Sequence, residues 1–63
     1  MIIIRYNRTE KTTRDIAMLD EKTKPLIAQK VIHADTFIFE GMVFSVVSKK
    51  YDIDSDQLII YVQ

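Results

Sequence analysis

The two ends of this chain constrain its fold most, because both read as strands that are apolar at consecutive positions: Ile2-Ile3-Ile4-Arg5-Tyr6 and Leu58-Ile59-Ile60-Tyr61-Val62. β-Branched and aromatic side chains suit a pleated strand, and successive side chains there point to opposite faces. Ile2, Ile4 and Tyr6 therefore share one side, with Ile3 opposite; Leu58, Ile60 and Val62 share one side, with Ile59 and Tyr61 opposite. A strand apolar on both faces needs cover on both. The expected sources are a small barrel that closes on itself, a second copy of the chain, or another protein.

A third β-rich segment, Thr36 to Ser48, is interrupted by Glu40-Gly41. Gly41 is the only glycine, and glycine supplies the positive φ that a tight hairpin turn requires. Thr36 to Phe39 is thus expected to pair with Met42 to Lys49. The polar, turn-forming stretch Lys50 to Asp56 then leads to a last antiparallel strand beginning near Gln57. The second half of the chain reads as a three-stranded meander.

The stretch from Thr12 to His33 admits two readings. Thr12-Thr13-Arg14-Asp15 has the form of a capping box opening a helix through Lys22. Pro25 forbids a helix running through the whole stretch, and Asp20 to Pro25 makes an apt polar loop between Ile16 to Leu19 and Leu26 to Ile32. The hairpin is favoured. The fold class expected is all-β: one domain, residues 1–63, a five- to six-stranded antiparallel meander or barrel of the SH3-like or OB-like kind. The alternative is α+β with one short helix within residues 13–33.

At 63 residues such a core is thin, since a chain this short buries only about 60% of the surface its unfolded form exposes. Stability on the order of 3 to 9 kcal/mol follows from typical per-residue values. The absence of cysteine removes disulfides as reinforcement and leaves self-association as the device to expect. The opening residues lack the charge and long apolar run of a secretory leader, and no apolar run is long enough for a membrane span, so a cytoplasmic, membrane-free location is expected.

Candidate chemistry is sparse. Asp52, Asp54 and Asp56 resemble the opening of a calcium loop, but Gln57 stands where that loop needs glycine and Gln63 where it needs a bidentate glutamate. His33 is the only histidine, with no zinc spacing and no nucleophile elbow around it. No catalytic residue, metal, cofactor or small-molecule substrate is expected. Arg5, Tyr6, Arg8, Lys11 and Arg14 combine cations with an aromatic ring, as single-stranded nucleic acid requires, yet Glu10 and Asp15 lie among them and the net charge is zero. Residues 1–32 hold seven basic and four acidic side chains, whereas residues 33–63 hold two and five, a dipolar arrangement suited to steering a partner.

Two functions of different class follow. The preferred one is a non-enzymatic protein-binding or self-assembling module (a homo-oligomer in the latter case), such as a phage or other mobile element encodes to bind a host protein or take part in assembly. Its interface is expected to use Ile3, Ile59 and Tyr61, with Phe37 and Phe39 as aromatic anchors. The alternative is a nucleic-acid-binding small barrel that uses the basic N-terminal edge.

Overall fold

The structure, a computed structural model, describes residues 1–7 and 15–63. Its elements are β1 (Ile2–Tyr6), β2 (Asp15–Leu19), α1 (Pro25–His33), β3 (Thr36–Phe39), β4 (Met42–Asp52) and β5 (Gln57–Val62). The strands form one sheet in the order β2-β1-β5-β4-β3, curled into a half-barrel. The β-rich class expected from the sequence is present. So is the meander β3-β4-β5, with antiparallel pairing at both of its junctions.

Two expectations are corrected. The sheet is mixed and not antiparallel throughout, because β1 runs parallel to β5, Ile2 beside Leu58 through Tyr6 beside Val62. These are the two strands apolar on both faces, and each has a strand on either side. The favoured hairpin is the other: Leu26 to Ile32 is helical and not a strand, which leaves five strands among the described residues, within the five to six expected.

The helix starts at Pro25, where the missing N–H costs nothing and the ring fixes a helical φ. Proline does forbid a helix running through the Thr12 to His33 stretch, but it also opens one. Asp20 forms the preceding turn: its carbonyl accepts from the Thr23 and Lys24 amides and its carboxylate from the Lys22 amide. The short helix therefore falls in the second half of the 13–33 window. Of the suggested capping box, Thr12 to Arg14 lie outside the described residues and Asp15 begins β2.

The core lies between the helix and one face of the sheet. Ile2, Ile4, Phe44, Ile60, Val62 and Ala28 are buried together, and Val31 and Ile32 of the helix pack against them. Ala28, Val31 and Ile32 recur at the three- and four-residue spacing of one helical face, and the small Ala28 admits close approach to the sheet. Lys49, across from Ile60, donates from Nζ to the Ile32 carbonyl at 2.5 Å, and so supplies a partner to one of the carbonyls that a helix end leaves without an intrahelical donor.

Candidate protein-binding surface

The β3–β4 hairpin is set by its turn. Glu40 and Gly41 have φ of 51° and 76°, the two left-handed residues of a type I′ turn, whose twist matches that of the flanking strands. Four residue pairs follow, from Phe39 beside Met42 to Thr36 beside Ser45. Alternation sends Phe37 and Phe44 inward to the core, with Phe44 buried and in edge-to-face contact with Tyr6 at 5.4 Å between ring centroids. It sends Ile38 and Val43, neighbours across the strands, to the opposite face. They are 77% and 64% exposed.

β4 serves two partners with its two halves. Met42 to Ser45 pair with β3, and pairing with β5 runs from Val46 onward across an irregularity that leaves Val47 as the extra residue. The hairpin tip thus extends past the central strands. Around it Phe39, Met42 and Val47 are also exposed. Between the tip and the start of β2 lies a groove of about 550 Å³ lined by Tyr6, Asp15, Ile16, Phe39, Glu40, Met42 and Phe44.

Of the residues expected at an interface, Ile3, Ile59 and Tyr61 do face away from the helix, but their surroundings differ from an open patch. Ile3 is 5% exposed, flanked by Met18 on β2 and Ile59 on β5, while Ile59 and Tyr61 are half-buried. Phe37 packs against the core, and Phe39 stands at the groove. Ile38, Val43, Met42 and Val47, which the sequence reading did not single out, are exposed apolar side chains on this hairpin. The signal was present, since Thr36 to Val47 is apolar on both faces just as the terminal strands are.

The basic N-terminal edge is engaged where it is described. Arg5 donates from Nε to Asp15 Oδ1 at 2.6 Å, and this hydrogen bond, reinforced by Tyr61, raises the guanidinium's pKa above its ordinary value. Tyr6 rests edge-on against Phe44 beside the core. Arg8, Lys11 and Arg14 lie outside the described residues.

The remaining candidate groups have local roles. Asp52 accepts the Asp54 amide, and Asp56 accepts the Tyr51 hydroxyl at 2.6 Å, which raises the pKa of Tyr51. No group of three or more histidine, cysteine, aspartate or glutamate side chains is arranged to hold a metal among the described residues. His33 is the exposed last residue of the helix and not a strand end as its position in the favoured hairpin implied. Among the described residues no helix is long and apolar enough to cross a membrane. Compared with known protein families, curated proteins and solved structures, the chain matches none of them.

Proposed function

We propose that this chain is a small, non-enzymatic, β-rich module that binds another protein or assembles with itself, of the kind a phage or other mobile element encodes to attach to a host protein or take part in assembly. The observation that supports this best is the exposed pair Ile38 and Val43 on the outer face of a hairpin reaching past the central strands, with Phe39 and Met42 exposed on its other face and Val47 at its base. Withdrawing one large apolar side chain from water is worth roughly 1.5 to 3 kcal/mol. Covering two or three would rival the whole stability expected of so small a domain, about 3 to 9 kcal/mol. The interface is thereby moved from Ile3, Ile59 and Tyr61 to the hairpin, with Phe39 retained.

The test combines light scattering with size exclusion over a dilution series, alongside retention of proteins from the native host on immobilised chain. The matched variant carries both Ile38→Lys and Val43→Lys. A mass that rises with concentration in the wild type, or a retained and identified protein, should be lost in the variant while its circular dichroism and melting midpoint stay in place. Identical behaviour of the two proteins in both assays would overturn the reading.

A further inference from the structure

We infer that the outer edge of β3 accepts an extended strand from a partner protein whose lysine or arginine residues bracket a short apolar stretch. The inference rests on the binding-module reading and names its partner chemistry. Sheet edges carry unpaired amides and carbonyls, and proteins ordinarily guard them with charge, proline or a bulge. The two edges of this sheet differ in that respect. β2 begins at Asp15, which is ion-paired to Arg5, and its register with β1 is broken by a bulge at Ile4/Arg5. β3 is Thr36-Phe37-Ile38-Phe39, regular through its pairing with β4 and with no charge, proline or bulge.

The register settles which backbone groups are free for a partner. In an antiparallel pair the residues alternate between those that exchange hydrogen bonds with the neighbouring strand and those whose amide and carbonyl point away. Val46 donates to the Asp35 carbonyl at 2.8 Å, which puts Asp35, Phe37 and Phe39 in the first set. Thr36 and Ile38 belong to the second. No strand among the described residues lies on that side of β3. A partner strand placed there meets two amides and two carbonyls, and its side chains continue the outer face begun by Ile38 and Val43.

Charge selects the occupant. The strand is bracketed by exposed Asp35 and Glu40, and no basic residue occurs from Ala34 to Ser48. A second copy paired antiparallel through Thr36 and Ile38 would bring Asp35 of each chain near Glu40 of the other at both ends of the junction, and like charges facing across strands disfavour pairing. A strand with cations at both ends turns both repulsions into attractions. The partner class is therefore a basic-flanked, alternating apolar segment in extended form, and not a copy of this chain.

Amide NMR titration tests this with two short peptides that share an alternating valine and threonine centre, one flanked by lysines and one by glutamates. The lysine-flanked peptide should shift the Thr36 and Ile38 amides and bind on the order of tenfold more tightly than the other, from two favourable end contacts replacing two unfavourable ones. The variant carrying Asp35→Lys and Glu40→Lys should reverse the preference. Ile38→Pro, which removes an amide that points away from β4, should abolish binding while the amide spectrum of the central strands is retained. Equal affinities for the two peptides, no reversal in the charge variant, or shifts confined to other strands would each overturn the inference. Should that happen while assembly still depends on Ile38 and Val43 in the scattering assay, the binding-module reading stands with a different occupant; if that dependence is lost too, both fall.

Discussion

Ile4 of β1 lies beside Ile60 of β5 in parallel register, so residues 56 positions apart in the chain meet at the centre of the sheet. Ile60 is fully buried, between β1 on one side and β4 on the other. Truncation there removes dispersion contacts and leaves a cavity that a sheet held from both sides cannot close. Ile60→Ala should cost about 2 to 5 kcal/mol. Set against an expected stability of about 3 to 9 kcal/mol, that takes the variant close to its unfolding midpoint in water. Urea denaturation followed by circular dichroism measures it, and a loss under about 1 kcal/mol would mean that the centre of the sheet repacks freely.

The hairpin turn gives a second prediction with opposite signs at adjacent residues. At Gly41 a Cβ would meet no atom within 4 Å, so any penalty there comes from the positive φ alone. Gly41→Val should destabilise by more than about 1 kcal/mol. Glu40 already bears a side chain at φ 51°, a conformation in which asparagine is far better tolerated. Glu40→Asn should therefore raise the urea midpoint, through a gain in unfolding free energy of about several tenths of a kcal/mol or more, on the order of the left-handed penalty it relieves. Two variants that moved the midpoint the same way would contradict the turn geometry.

The hairpin and the meander were legible because their signals are local: the alternation, the lone glycine, and the polar turn before Gln57. The helix was harder. Leu26 to Ile32 is rich in residues that also suit strands, and only the spacing of Ala28, Val31 and Ile32 marks one helical face. Its length, nine residues, is too short for propensity to decide, so packing on the sheet does. The parallel contact of β1 with β5 has no local signature at all. It was foreshadowed only by both strands being apolar on both faces, a pattern that fits a central strand as well as one covered by a partner. The same pattern in Thr36 to Val47 marks an edge hairpin, and only the strand order distinguishes the two cases.

The pH dependence of stability should have two identifiable limbs at one end of the molecule. The Met1 ammonium donates to Glu21 Oε1 at 2.7 Å and lowers that carboxyl's pKa below its ordinary value of 4.5. A group lowered by folding contributes stability above its unfolded pKa and loses it as pH falls through the folded one. Glu21→Gln should flatten the acid limb below about pH 4.5. Tyr51 is shifted the other way, chiefly by donating its hydroxyl to Asp56, which raises its pKa above 10.0. Its contribution is complete below that value and is lost as pH rises through the folded one, so Tyr51→Phe should flatten the alkaline limb. Denaturant midpoints across the pH range measure both; variants that track the wild type at either extreme would show that the contact concerned is absent in solution.

The last prediction separates the two apolar groups on the outer face. Ile3 and Ile59 lie side by side on neighbouring central strands, with Ile3 nearly inaccessible, whereas Ile38 and Val43 sit side by side on the hairpin and are open to solvent. A lysine at position 59 must run its stem past Ile3 and stand opposite Lys50, whose own cation sits across the strand pair. Lysine can extend its charge toward water, so the penalty comes from lost packing around Ile3 and from two facing cations. Ile59→Lys should therefore lower stability by about 1 to 3 kcal/mol, in the usual range for such changes. Ile38→Lys should leave stability within about 0.5 kcal/mol of wild type, because it disturbs little that is buried. Binding should respond in the reverse order, lost in Ile38→Lys and kept in Ile59→Lys wherever that variant is folded. If instead Ile59→Lys is as stable as wild type and abolishes assembly, the surface that matters runs through the central strands, and the hairpin loses its place as the interface.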